Sequence, residues 1–564
     1  MAQSTAILPK RKCNIASRLT ETATQMPDAV AVAVPRGRNK NGRRQYDSVT
    51  FRQLDEDSSQ LAAALREYGY RPGSRIVLMV RPGIDFISLT YALFKAGTVV
   101  VLVDPGMGRE NMIACLEAVR PEGFVGIPLA QAARALYRKK FPLAKRNVTV
   151  GRRLFWGGTT LKQLRRRKLT ESDLASTWPD DPAAIIFTTG STGPPKGVLY
   201  RHGNFDKQVD QLRDHYDIKP GEIDLPGFPL FALFNGAMGV TTIIPDMDPT
   251  RPADVNPNNI LEAVEDWKVT QAFGSPALWN AVGKHCEQHG SKMPTLRRVL
   301  SAGAPVPPHV IQRIKDAIPE DGDIHTPYGC TESLPVASIS GSEVLGETAA
   351  MTSVGRGTCV GGKFSGIDWR ISRIRDDAID HIGDCEELPV GEIGELIVRG
   401  AVVTTEYVTR TDQNAVAKIQ DGDTFWHRIG DVGYLDSKER FWFCGRKSHR
   451  VRTEQGTMFT IPCEAIFNQH HSIYRSALVG VGRAGDQLPV IICETWPEHR
   501  PKTPDEKSTL LAELHKVGQA SELTSQIHER NVLLHDSLPV DIRHNSKIFR
   551  EKLSVWAAKE LQSE

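Results

Sequence analysis

The chain has 564 residues, 40% hydrophobic and 24% charged, with 70 Lys/Arg against 67 Asp/Glu and a formal net charge of +3. That length holds roughly three or four compact units, the composition is that of a globular protein, and so small a charge excess gives no ground for nucleic-acid binding. The nine cysteines show no C-x-x-C or Cys/His cluster, no apolar run is long enough to span a bilayer, and the basic residues near the N-terminus precede no apolar core; these read as reduced thiols without zinc, no membrane span, no secretory signal and a cytoplasmic location.

From residue 75 the pattern alternates. Arg75–Val80 predicts a buried strand, Ile84, Ile87, Tyr91 and Phe94 recur at helical spacing, Val99–Val103 is the next strand, a helix follows over about 109–119, and Phe124–Ile127 repeats the theme. Strands resume at Ala183–Phe187, Thr241–Pro245 and Leu300–Gly303. Such alternation predicts an α/β architecture of largely parallel sheets with helices on their faces. Residues 134–168 interrupt it with thirteen Lys/Arg and no Asp/Glu. This block reads first as a solvated helical face, and second as a patch for an anionic membrane or acidic partner. After about residue 365 short strands and turns take over, as at Gly394–Arg399 and Phe441–Cys444. Gly445–Val451 breaks two strand-like runs and is the expected hinge, with a small α+β domain beyond it. Gly480-Val-Gly-Arg-Ala-Gly485 fits G-x-G-x-x-G, but another strand, Val490–Glu494, follows where a dinucleotide fold needs a helix; a hairpin turn is the expectation. The Pro- and charge-rich stretch 496–508 reads as a loop.

The richest segment is Ile185–Val198. An apolar strand empties into Thr188, Thr189, Gly190, Ser191, Thr192 and Gly193, and after two prolines comes Lys196. Glycines let backbone N–H groups close around an anion, hydroxyls add donors, and the lysine adds a point charge. This is a phosphate cradle without Walker A spacing. Downstream come Ser301-Ala-Gly303-Ala304-Pro305, Tyr328-Gly329-Cys330-Thr331-Glu332, Arg428-Ile-Gly-Asp431, Gly445-Arg446, and Pro539 with Lys547 eight residues on. Taken singly, Tyr328-Gly329 also reads as a turn, Glu332 as a helix-cap partner, Asp431 as an Asx-turn residue and Lys547 as a surface lysine.

In this order the segments resemble the motifs of the adenylate-forming superfamily of acyl-CoA synthetases, luciferases and peptide-synthetase adenylation domains. The resemblance implies a large N-terminal domain of α/β subdomains plus a small β subdomain (1–445, binding ATP and acyl group), and a small mobile α+β C-terminal domain (446–564). It implies that residues 188–193 and Lys196 hold the β- and γ-phosphates of ATP. Tyr328 would lie against adenine, beside Gly303, Ala304 and Pro305, with Gly329 and Thr331 in the same slot. Glu332 would anchor Mg²⁺, Asp431 and Arg446 would receive the ribose, and Lys547 would bridge the carboxylate substrate and the α-phosphate.

A narrower resemblance runs through Asp224–Phe234, Ile244–Ala253, Phe273–Leu278, Ser301–Pro308 and Pro539–Leu553. These segments are similar to the olefin β-lactone synthetases of bacterial long-chain hydrocarbon biosynthesis. That implies a 2-alkyl-3-hydroxy fatty acid as substrate, with β-lactone, AMP and pyrophosphate as products, and a thiolase and a β-lactone decarboxylase as pathway neighbours. The alternative within the superfamily is a long-chain fatty acyl-CoA or acyl-AMP ligase, which shares the first half-reaction. Against it, Ala232 stands where acyl-CoA synthetases usually carry histidine, Ser448 replaces the usual hinge carboxylate, and Ser546 replaces the glycine before the catalytic lysine. A lactone needs no thiol, because the nucleophile is already in the substrate and the protein has only to fold it onto the activated carbonyl. His202 reads either as the base for that closure or as packing, and Phe228, Phe231 and Phe234 as pocket wall, core, or both.

Overall fold

The computed structural model describes residues 12–167, 174–188, 194–228, 230–540 and 548–563. Three sheets build the large N-terminal domain and a fourth organises a smaller C-terminal domain.

The first sheet has seven strands. Arg75–Met79, Val99–Leu102, Gly123–Gly126 and Pro182–Phe187 lie parallel at its centre. Their runs of valine, isoleucine and leucine are covered on both faces, which is why they read as continuous rather than alternating apolar segments. Helix Ile84–Lys95 is buried along nearly its whole length. Even Lys95 is enclosed, its ammonium donating to Asp55 Oδ1 at 2.6 Å and to Ser59 Oγ at 2.7 Å, which meets the rule that a buried charge must be paired. The second sheet has nine strands. Val30–Arg38, Thr241–Ile243, Ile223–Pro226, Gln271–Gly274, Arg298–Ser301 and Asp323–Cys330 run parallel, with antiparallel strands at both edges. The third sheet is antiparallel and spans Thr358–Arg446, as the short-strand texture of that region predicts.

Beyond Val451 the chain makes its own core around the antiparallel pair Ile473–Val481 and Leu488–Thr495, joined in parallel by Val532–Leu534 and covered by helices Thr460–Phe467, Pro504–Gln519 and Arg550–Ser563. The glycines of 480–485 form the turn of that antiparallel pair, so no dinucleotide site exists there.

Two expectations are corrected. The loop expected over 496–508 ends early, because helix Pro504–Gln519 starts inside it. Thr503 caps the helix by accepting from Glu506 N at 3.2 Å, and proline occupies its first turn; the Thr-Pro-Asp-Glu signature outweighs the polar composition. The basic block is not one helical face. It runs from the end of helix Pro128–Leu136 through a 3₁₀ turn at Arg138–Lys140, the strand Arg146–Thr149, an exposed loop and helix Leu161–Arg165; Lys168 lies outside the described residues. The strand before the phosphate loop, Pro182–Phe187, pairs antiparallel with Gly197–Arg201 beyond it.

Candidate active site

The carboxyl ends of the parallel strands in both large sheets open into one cavity of about 3050 Å³, which also reaches residues of the C-terminal domain. Open α/β sheets characteristically bind ligands at this end. Thr188 and Lys196 stand at the neck of the loop between Pro182–Phe187 and Gly197–Arg201. Thr188 N donates to Lys196 O at 3.0 Å, and Lys196 N donates to Thr188 Oγ1 at 3.1 Å. Thr189, Gly190, Ser191, Thr192 and Gly193 lie outside the described residues.

Lys196 faces a compact polar cluster. Its Nζ donates to Tyr407 Oη at 3.2 Å, lies 4.4 Å from the centre of that ring, and stands 4.0 Å from Glu332 Oε1. Tyr407 Oη in turn donates to Glu332 Oε1 at 2.6 Å. Burial and the neighbouring carboxylate keep that phenol protonated. The arrangement is fixed from behind. Thr404 donates to Glu332 O through both N (2.8 Å) and Oγ1 (3.0 Å), and Asn414 Oδ1 accepts from Tyr407 N at 2.8 Å. Segment 403–408 forms bridges to Ser333 and Val198, so it clamps the carboxylate strand to the phosphate-loop strand. Tyr407 carries no motif signal, because it lies far from both motifs in the chain, and only strand pairing reveals it.

Lys418 lies deeper, its ammonium donating to Thr404 O, and burial pulls its pKa down to about 7. His427 is fully enclosed and its Nδ1 is 3.1 Å from Ala417 O. Burial holds its pKa well below the ordinary value, so the ring is neutral and Nδ1 carries the hydrogen donated to that carbonyl. Cys330, Glu332 and His427 bring one donor atom each within 4.8 Å of one another. No spacing motif in the sequence reveals this grouping, because His427 comes from a different sheet.

Tyr328 and Gly329 belong to strand Asp323–Cys330 rather than to a turn, and Asp431 to strand Thr424–Leu435. Tyr328 Oη donates to Asp431 Oδ2 at 2.5 Å and Arg446 Nη1 to Asp431 Oδ1 at 2.6 Å, the last two being cross-strand partners. The Asp431 carboxylate raises the Arg446 pKa, and burial followed by Asp431 raises that of Tyr328. Gly303, Ala304 and Pro305 follow strand Arg298–Ser301 and line the same cavity with Gly329 and Thr331. Gly303 sits at φ +96°, where a side chain would be strained.

Phe228, Phe231 and Phe234 all line the cavity, beyond strand Ile223–Pro226. Phe231 stacks on Phe273 at 3.7 Å and Phe234 meets Phe205 edge-on at 6.3 Å. All three are half-buried at the cavity wall, and Phe234 also packs against the main hydrophobic core. His202 does not join them. It is fully buried, its Nδ1 accepts from Ile15 N at 3.3 Å, and burial lowers its pKa to about 4. A ring with no access to the cavity cannot take a substrate proton, so the packing alternative is the correct one. Lys547 lies outside the described residues; Val540 and Ile548 on either side of 541–547 form an antiparallel bridge, and Ile548 lines the cavity. Just after that segment, Arg550 Nη2 donates to both carboxylate oxygens of buried Glu464, at 2.7 and 2.8 Å.

A profile described as AMP-binding enzyme matches residues 19–408. The chain is 47% identical over 560 residues to an olefin β-lactone synthetase of Stenotrophomonas maltophilia, covering 98% of this chain and 99% of the relative. It is 46% identical to an olefin β-lactone synthetase of Xanthomonas campestris, covering 97% and 98%. The amide bond synthetase McbA from Marinactinospora thermotolerans has the same fold, with a TM-score of 0.77 at 21% identity, covering 96% of this chain and 99% of that one.

Proposed function

From the premise that the chain belongs to the AMP-binding enzyme family, as an adenylate-forming ligase that uses ATP, we propose that it turns a long-chain 2-alkyl-3-hydroxy fatty acid into a β-lactone, AMP and pyrophosphate. The observation that carries this reading is the Lys196–Tyr407–Glu332 cluster at one wall of a cavity whose other wall is the Phe228, Phe231, Phe234 and Phe273 surface. A polar end for phosphate and an apolar end for alkyl chains share one space. The near full-length likeness to enzymes named olefin β-lactone synthetase supports the choice of acid and product.

Each residue has a task in this scheme. The substrate carboxylate attacks the α-phosphorus, the bond to pyrophosphate breaks, and an acyl adenylate forms. Lys196 and the loop of 188–193 hold the departing phosphates. Asp431 uses two lone-pair sites on Tyr328 and Arg446, which leaves others for ribose hydroxyls. Tyr328, with Gly303–Pro305, Gly329 and Thr331, forms the adenine slot. Lys547 bridges the carboxylate and the α-phosphate, where positive charge stabilises the transition state. The 3-hydroxyl then attacks the acyl carbon, AMP leaves, and the hydroxyl proton is released; the aromatic wall folds the chain and keeps water out. A magnesium ion fits this donor set. Glu332 offers a hard carboxylate held by Tyr407 beside the phosphate lysine, and Mg²⁺ is typically bound by one or two carboxylates plus phosphate oxygens. When bound it would neutralise phosphate charge.

In the proposed organisation residues 1–445 bind ATP and acid and residues 446–564 deliver Lys547. The proposed setting is the cytoplasm, with a thiolase supplying the carbon skeleton and a β-lactone decarboxylase consuming the product. No helix among the described residues is long and apolar enough to cross a membrane. The test is mass spectrometry after incubation with ATP, magnesium and a 2-alkyl-3-hydroxy acid, without CoA. A lactone with AMP and pyrophosphate is expected, and Lys547→Ala should abolish it. A thioester that forms only when CoA is added would overturn the lactone and leave an acyl-CoA ligase.

A further inference from the structure

Five of the eleven exposed large hydrophobic residues among the described residues fall between 129 and 155. Leu129 and Leu136, seven positions apart on helix Pro128–Leu136, are each 76% exposed; Phe155 is 83% exposed and Leu154 52%. The loop and the helix form one surface. A Cβ on Gly151 would stand 3.6 Å from Pro128 Cδ, and Arg134 Nη2 donates to Trp156 O at 2.9 Å. Phe155 projects while its neighbour is anchored, for Trp156 is buried and its Nε1 donates to Thr149 Oγ1 at 3.0 Å. The loop is therefore held in place, with its apolar side chains turned to water.

The charge of the block that carries this surface has one sign. Residues 134–168 contain no Asp or Glu. Lys140 pairs with Glu117, Arg165 with Asp57 and Asp85, and Arg167 with Glu67. Among the described residues no carboxylate pairs with Arg138, Lys139, Arg152 or Arg153. Ile127, Leu129, Ala130 and Ala133, at the start of the same helix, line the cavity, so the exposed patch adjoins the place where that cavity meets the surface.

We infer that helix Pro128–Leu136 and the loop 151–155 are a docking surface for an anionic lipid bilayer, set at the mouth of the acyl cavity. Apolar side chains enter the headgroup boundary while unpaired Lys and Arg attract anionic lipids, and neither contribution alone gives stable attachment. A patch of exposed leucine and phenylalanine on an otherwise polar face marks an interaction site, and the four cations without a carboxylate partner among the described residues, Arg138, Lys139, Arg152 and Arg153, select an anionic partner. Passage of alkyl chains through this mouth rests on the substrate proposed above; the docking does not.

The test is co-flotation of the full-length protein with phosphatidylglycerol-containing vesicles and with phosphatidylcholine vesicles, at low and high salt. Binding to the anionic vesicles alone, reversed by salt, is expected. Lys139→Gln with Arg152→Gln should weaken it roughly 30-fold, and Leu154→Ser with Phe155→Ser should release the protein. Adenylation of a short, water-soluble 3-hydroxy acid, measured without vesicles, should be unchanged in both variants, which separates loss of docking from failure of the enzymatic reading. Wild type that stays in the aqueous fraction, variants that float like wild type, or loss of binding to a partner enzyme through these residues without any vesicle binding would each overturn the inference.

Discussion

Tyr407 shows most plainly how single side chains set this site. Its hydroxyl donates to Glu332 and accepts from Lys196, so one oxygen fixes the distance between a cation and a carboxylate. Without it the two would be free to approach and neutralise each other. Tyr407→Phe keeps the ring and its packing but loses that oxygen. Loss of such an outer partner typically lowers metal affinity or activity about 10- to 100-fold. ATP–pyrophosphate exchange titrated with magnesium should show a raised magnesium requirement of that size with unchanged folding; an unaltered titration would remove Tyr407 from the machinery. His202 teaches the opposite lesson. A histidine one short strand, Gly197–Arg201, beyond the phosphate loop reads in the sequence as either base or packing, and burial makes it a core residue.

At the scale of elements, strand Ile223–Pro226 carries a buried acid. Asp224 accepts from Asn235 Nδ2 at 2.7 Å, and burial raises its pKa to about 7. The folded state therefore keeps a proton that the unfolded chain, with an ordinary carboxyl, gives up near pH 4. Between those values the folded state binds more protons, so stability falls as pH rises from about 4 to about 7 and levels off above. Asp224→Asn should flatten that slope in denaturant titrations across the window; an unchanged slope would mean the carboxyl is already ionised in the fold. The helix start at Thr503 gives a second expectation. Thr503→Ala should cost about 1 kcal/mol of C-terminal domain stability through the lost cap, visible as a lower urea midpoint with unchanged slope. The motif was present in the sequence, yet proline and charge made the segment look like loop. Strand Gly197–Arg201 was obscured for a related reason: strand–loop–strand and strand–loop–helix begin with the same apolar run.

At the scale of the whole molecule, the cavity takes walls from three sheets and from the C-terminal domain, and that domain contains a buried ion pair. Arg550 meets Glu464, whose Oε1 also accepts from Leu478 N at 2.9 Å. Arg550→Met would leave the carboxylate buried without its cation, a loss of about 3–5 kcal/mol. Calorimetry should resolve an early transition for the C-terminal domain while the large domain still binds ATP; a single unshifted transition would deny the pair that role. The sequence by itself determined the chemistry of the segments: strand runs rich in β-branched residues, a hydroxyl-and-glycine loop ending in lysine, and an ordered set of motifs that named the superfamily. Those properties are local, fixed by side chains a few positions apart. Tertiary structure alone decided which distant groups share space. Pairing of segment 403–408 with two other strands brought Tyr407 between Lys196 and Glu332, a neighbouring sheet brought His427 to Cys330, and a turn of loop left Phe155 in water beside unpaired arginines. Contacts of that kind depend on how sheets pack, and no spacing along the chain encodes them legibly.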